Sequence, residues 1–74
     1  MFILTITVIL YGIFNSKKEI VKLRLEPGST VETVSEEIGL DPWLLFVLNE
    51  SVVNNERQLN NGDVLEVFPP LSGG

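Results

Sequence analysis

The sequence contains no cysteine and no histidine. The first absence removes disulfides and thiolate metal sites as staples, so a hydrophobic core must hold the chain unaided. Together the two absences remove the commonest general base, the best thiol nucleophile and the usual soft metal ligands. Neither an independent enzyme nor a metal site is expected. Cationic side chains are scarce as well: five Lys and Arg face ten Asp and Glu, for a net charge of −5. Such a surface repels nucleic-acid phosphates and anionic membranes; it serves solubility or steers the protein toward a basic partner surface. The one long apolar run, residues 1–14, has no basic residue before it and no small-residue cleavage site after it. It also falls short of the roughly 20 residues that span a bilayer. It is read as a buried strand, with no membrane partner, and the protein is expected in the cytoplasm.

What is present suffices for one core, since 45% of the 74 residues are hydrophobic, at a size where folding buries only about 60% of the unfolded chain's surface. From Ile3 to Tyr11, Leu4, Ile6, Val8 and Leu10 fall on one face of a strand, and Thr5, Thr7, Ile9 and Tyr11 on the other. After a turn region from Gly12 to Lys18, Val21, Leu23 and Leu25 alternate with Lys22, Arg24 and Glu26, which is the pattern of a strand with one wet face. These two strands are predicted to form a hairpin.

Pro27-Gly28 breaks the second strand, and Ser29-Thr30-Val31-Glu32 has capping-box spacing, with Ser29 at the N-cap and Glu32 reaching back to its amide. A helix is predicted over Ser29 to Ile38. Val31, Val34 and Ile38 face the core, Glu32, Ser35, Glu36 and Glu37 face water, and Gly39 supplies a left-handed C-cap. The stretch Asp41 to Asn49 stays ambiguous: Asp41-Pro42 suits the start of a second helix, whereas Leu44 to Leu48 suits a buried strand. Val52-Val53 reads as a short strand, Asn60-Asn61-Gly62-Asp63 as a turn, and Val64 to Phe68 as the last strand.

This order of elements predicts an α+β fold of the β-grasp (ubiquitin-like) type. One main helix packs on one face of a mixed sheet, the other face is open, and the first and last strands run parallel at the centre. The domain is expected over residues 1–68, with residues 69–74 as an extended tail. Pro69 and Pro70 end the last strand because neither has an amide hydrogen for a sheet ladder. The tail then reaches at most about 20 Å, and Gly73 and Gly74 lack side chains, a shape suited to a narrow channel. An inert frayed end is the alternative. However, Pro-Pro followed at this offset by Gly-Gly has a chance probability on the order of 10⁻⁵ at ordinary frequencies.

Three segments carry a resemblance: Leu48-Asn49-Glu50-Ser51-Val52-Val53, Leu59-Asn60-Asn61-Gly62-Asp63-Val64 and Phe68-Pro69-Pro70-Leu71-Ser72-Gly73-Gly74. They are similar to the asparagine-bearing strand, the Leu-x-x-Gly-Asp turn and the tail of the ThiS/MoaD family of ubiquitin-like sulfur carriers. The Pro-Pro is closer to the molybdopterin synthase small-subunit branch than to the thiamin branch, and Glu50 stands where the family usually has Gly. The resemblance implies a carrier with no catalytic residue of its own and no bound cofactor. An E1-like adenylating enzyme would use ATP and Mg²⁺ to activate the Gly74 carboxylate, and a sulfur donor would convert it to a thiocarboxylate. The tail residues Pro69, Pro70, Leu71, Ser72 and Gly73 would then thread into the molybdopterin synthase large subunit.

The resemblance also implies a partner interface at Tyr11, Val52 and Phe68. Strand parity independently places Tyr11 opposite Leu4, Ile6, Val8 and Leu10, and Phe68 opposite Leu65 and Val67, so both rings are expected exposed on the open face. Lys17, Lys18, Lys22, Arg24 and Arg57 are read as solvated surface, and Trp43 as core or rim packing. The rival readings are a protein modifier joined to lysines through Gly74, a sulfur carrier for thiamin thiazole or tRNA thiolation, and a regulatory β-grasp domain with an inert tail. A lysin-motif-like carbohydrate-binding module is a further rival, and it requires Asp41 to Asn49 to be helical.

Overall fold

The computed structural model describes residues 3–13 and 17–70. Six elements follow in chain order: β1 (Leu4–Tyr11), β2 (Lys18–Leu25), α1 (Val31–Ile38), β3 (Leu45–Leu48), β4 (Ser51–Val53) and β5 (Val64–Phe68). β1 and β2 form the expected antiparallel hairpin, paired along their whole length from Leu4↔Leu25 to Tyr11↔Lys18. β5 lies parallel to β1, with Val8 opposite Leu65, and the sheet order is β2-β1-β5-β3-β4. β3 runs antiparallel to both β5 and β4. This is the β-grasp arrangement, with the first and last strands side by side and parallel.

Strand alternation decides where the core sits. Ile6, Val8 and Leu10 of β1, Phe46 and Leu48 of β3, and Leu65 and Val67 of β5 share one face of the sheet. These side chains are buried together with Val31 and Val34 of α1. Leu40 and Leu59 join the same cluster, while Leu23 and Ile38 pack half-buried against it. Burying each large aliphatic side chain contributes about 1.5–3 kcal/mol, which is how a chain without disulfides holds this sheet.

The helix starts later than its sequence signals suggest. Residues Glu26 to Ser29 form a turn in which the Ser29 amide donates to the Glu26 carbonyl at 3.2 Å, with Gly28 at φ 93°. The Ser29 hydroxyl donates to the same carbonyl at 2.7 Å and is not available as a cap. Thr30 is the N-cap instead, its amide donating to Thr33 Oγ1 at 3.0 Å, so Thr33 takes the role expected of Glu32. A distant segment selects this register. Thr30 bridges Gln58, and the first helical amides, Val31 and Glu32, donate at 3.0 Å to the carbonyls of Arg57 and Asn55. Those amides have no partner within a helix, and here a neighbouring loop provides one.

Ser35, expected in water, is buried, at 8% exposure. It lies four residues after Val31 and so shares the face that Val31 and Val34 turn to the sheet. Gly39 caps the helix as expected, at φ 83°, and the amides of Gly39 and Leu40 both donate to the Ser35 carbonyl at 2.8 Å. The ambiguous stretch resolves into a turn and a strand. Asp41 Oδ1 accepts from the Trp43 amide at 2.9 Å, and β3 then buries Phe46 and Leu48. No second helix forms between Asp41 and Asn49, which removes the strand-helix-helix-strand pattern of a carbohydrate-binding module. Among the described residues no helix is long and apolar enough to cross a membrane.

Candidate functional site

β5 ends at Phe68, and Pro69 and Pro70 follow outside the sheet, both exposed. Leu71, Ser72, Gly73 and Gly74 lie outside the described residues. The base of the tail is well defined. Because β1 and β5 are parallel and in register through Leu10↔Val67, their last residues come side by side. There the Phe68 ring stacks on the Tyr11 ring, with centroids 4.6 Å apart and planes inclined by 4°. Both rings lie on the open face, as strand parity predicts, but each covers the other, so they are half-buried rather than exposed.

Two polar neighbours fix the stack. The Tyr11 hydroxyl donates to Glu66 Oε2 at 2.8 Å, and Lys18 Nζ sits 5.9 Å from the centre of the Tyr11 ring, within cation–π range. The hydrogen bond to Glu66 raises the Tyr11 pKa above its ordinary 10.0, with burial and the negative charge of Glu66 adding to the effect. The last side chain before the two prolines is therefore held against β1 by packing.

The Asn and Gly-Asp motifs lie at the opposite end of β5 from this corner and serve structure. Asp63, buried at 8% exposure, accepts from the Asn60 amide at 2.7 Å and from Asn49 Nδ2 at 3.0 Å. Asn49 Oδ1 in turn accepts from the Val64 amide at 3.3 Å. The β3–β4 hairpin is thus tied to the turn that launches β5, and Gly62 at φ 87° lets that turn close. The hairpin itself is a two-residue loop in which Asn49 and Glu50 both have positive φ, 48° and 74°. That geometry favours Asn-Gly, and Glu50 occupies the glycine position at a cost in backbone strain.

In front of the corner the open face carries a row in register across all five strands: Ile20, Ile9, Glu66, Val47 and Val52. Its two ends are well exposed, Ile20 at 58% and Val52 at 69%. Val52, expected at an interface, is therefore on the same face as Tyr11 and Phe68 but at the far edge, on β4. Trp43, expected in packing, is 78% exposed. It sits just before Leu45, and Leu45 pairs with Phe68, so Trp43 is at the end of the sheet where the tail leaves. Neither Ile20 on this face nor the exposed Trp43 ring at the end of the sheet was read as surface from the sequence. The available signal for Ile20 was an isoleucine falling between Lys18 and Lys22 on the wet face of an edge strand. Among the described residues no group of three or more metal-binding side chains comes together.

Comparison with known proteins places this geometry. The model of the ThiS family matches residues 11–74. The chain belongs to the ThiS family. ThiS-family proteins are small ubiquitin-like sulfur carriers, generally not catalysts, that work with E1-like adenylating enzymes and sulfur-transfer partners. The match starts at Tyr11 and extends to Gly74, so it takes in the ring stack, the Asn49–Asp63 clasp and the tail. The solution structure of the Haloferax volcanii protein HVO 2177 is similar, with a TM-score of 0.76 at 18% identity, over 97% of this chain and 88% of that one. At that identity the likeness supports the fold. No curated protein matches the sequence.

Proposed function

We propose that this ThiS-family protein carries sulfur as a thiocarboxylate on Gly74, with residues 1–68 as the folded domain and residues 69–74 as the tail presented to partners. The observation that carries the reading is the corner at Phe68. There a strand locked by the Tyr11 stack ends in Pro69-Pro70, and the sequence continues through Leu71 and Ser72 to two residues without side chains.

The chemistry follows from a carboxylate's reactivity. A free carboxylate is a poor acyl donor. Its oxygen attacks the α-phosphorus of ATP on an E1-like enzyme, with Mg²⁺ bound to the nucleotide, and pyrophosphate leaves. A sulfur donor that delivers a hydrosulfide equivalent then displaces AMP from the acyl-adenylate, leaving the thiocarboxylate. Gly73 and Gly74 suit this because a Cβ would narrow the approach of ATP and of the attacking sulfur. The Pro-Pro before the tail favours molybdopterin formation as the use of the sulfur, in which the loaded tail threads into the molybdopterin synthase large subunit, in the cytoplasm. The open face around Tyr11, Phe68 and Val52 holds the partner while the tail reaches its active site, the arrangement expected where exposed apolar side chains surround an ordered aromatic pair.

The test is the intact mass of the protein purified from its own cells. A fraction heavier by the difference between one sulfur and one oxygen atom, confined to the C-terminal peptide, is expected. A C-terminal glycine found instead as an isopeptide remnant on lysines of other proteins would establish a modifier.

A further inference from the structure

Charge is divided unevenly between the open face of the sheet and the rest of the molecule. Lys18, Lys22 and Arg24 occupy alternate positions of β2, paired with Tyr11, Thr7 and Thr5 of β1. All three therefore rise from the open face, and all three are exposed. The strand residues of that face include one carboxylate, Glu66, and it is engaged by the Tyr11 hydroxyl. Three cations and one anion give the strand residues of this face a charge of +2; since the whole chain carries −5, the remainder carries −7. The helix is part of that remainder, with exposed Glu32, Glu36 and Glu37 and no basic residue in its last turn. Ile20 lies between the cations, 58% exposed, and leads along its row to Val52 at 69% on the opposite edge.

We infer that the open face docks a protein surface that is apolar at its centre and acidic along the border that meets β2. Resting on the carrier reading, we assign that surface to the E1-like adenylating enzyme. Overall charge alone points the other way, toward a basic partner. The face, however, is what a partner meets at the tail, and its sign is opposite to that of the rest of the molecule. An acidic docking border repels the −7 remainder and attracts the +2 face, so the encounter is turned face-first before any apolar contact forms. The Tyr11–Phe68 corner belongs to the same face, so this orientation also brings the tail base to the enzyme. A nucleic acid would meet the same cations, but the net charge of −5 opposes its approach.

The experiment is ATP–pyrophosphate exchange by the cognate E1-like enzyme, with the full chain as the varied substrate. Wild type is compared with Lys22→Glu/Arg24→Glu on the open face and with Glu36→Lys/Glu37→Lys on the helix. At low salt the β2 double variant is expected to raise KM about tenfold or more with kcat unchanged, a gap that narrows as added salt screens the charges. The helix double variant is expected to stay within about twofold of wild type, as befits charges remote from the interface. If the β2 variant melts early, Lys22→Gln/Arg24→Gln takes its place with a smaller rise of the same salt dependence. Equal KM for wild type and the β2 variants overturns the inference alone. Equal and opposite shifts from the two double variants also overturn it, because net charge and not the face would then decide. Saturable binding of a single-stranded RNA oligomer at about 0.15 M ionic strength overturns it in favour of nucleic acid. Absence of exchange with wild type itself overturns the carrier reading, and with it the partner named here.

Discussion

The two faces of the sheet are built by the same strands but are held together by different means. On the helix side, Ile6, Val8, Leu65 and Val67 are completely buried and need only water exclusion. On the open side, order comes from specific pairings: a ring stack, a hydroxyl on Glu66 and an ammonium over a ring. Among the described residues the first face leaves one polar atom over, the buried Ser35 Oγ, which has no hydrogen-bond partner. The second keeps Ile20, Val52, Lys22 and Arg24 exposed, with no partner for them among the described residues. A surface that is ordered at its corner and unfilled along its rows is suited to complementing a partner, whereas the other face is already covered by the helix.

That contrast can be broken most strongly from the buried side. Leu65→Ala empties a site with no solvent access and should cost roughly 2–5 kcal/mol in chemical denaturation. A loss under about half a kcal/mol would mean the core is not where the burial places it. On the open side, Phe68→Ala should leave a folded protein whose affinity for the E1-like enzyme, by titration, falls by at least about 1 kcal/mol. Unchanged affinity would make the ring pair a packing feature alone.

A smaller effect sharpens the comparison at the hairpin edge. Glu50→Gly relieves the positive φ of 74° and should stabilise the fold by about 0.5–1 kcal/mol, net of the added freedom of the unfolded chain. A destabilised variant would show that Glu50 makes a compensating contact. The smallest effect concerns Tyr11, which is the only tyrosine in the chain, so tyrosinate absorbance reports it alone. Its pKa is raised above 10.0 by the bond to Glu66, and Glu66→Gln should bring it down. Since the folded value exceeds the unfolded one, the stabilisation is fully present below pH 10 or so and is lost as pH rises through the raised value. The advantage of wild type over Tyr11→Phe in melting temperature should therefore be constant at neutral pH and shrink above about pH 10. An advantage that persists there would mean the hydroxyl contributes nothing through Glu66.

The buried face was legible in the sequence because its pattern is local. Alternation along β1 and β5 names the core residues without any knowledge of which strands pair. The helix boundary was not legible to the residue. Two overlapping hydroxyl-first signals, at Ser29 and Thr30, compete, and a bridge to Gln58 decides between them. The stretch from Asp41 to Asn49 was undecided for the same reason: Leu45–Leu48 becomes a strand because β4 and β5 lie on either side of it. On the open face, parity places Tyr11 and Phe68 on the correct side, but their mutual cover requires the parallel register. Trp43 was invisible as a surface feature, since residue type alone reads it as packing, whereas Ile20 is marked only by its place between Lys18 and Lys22 on the wet face of β2. The tail, by contrast, was the plainest signal in the chain, because prolines followed by glycines act through backbone chemistry and need no fold to be recognised.

The carrier account places all its chemistry at one atom group, and deletion of Gly74 tests that most directly. The deletion leaves a carboxylate on Gly73, chemically almost the same but drawn back by up to about 3.5 Å. Since a 1 Å misplacement can cost on the order of a hundredfold, ATP–pyrophosphate exchange by the E1-like enzyme should fall by at least about that factor. The melting temperature should not move, because the tail follows two prolines that have already left the sheet. Exchange at the wild-type rate by the shortened protein would contradict the account, showing that the position of the terminal carboxylate is not what the enzyme reads.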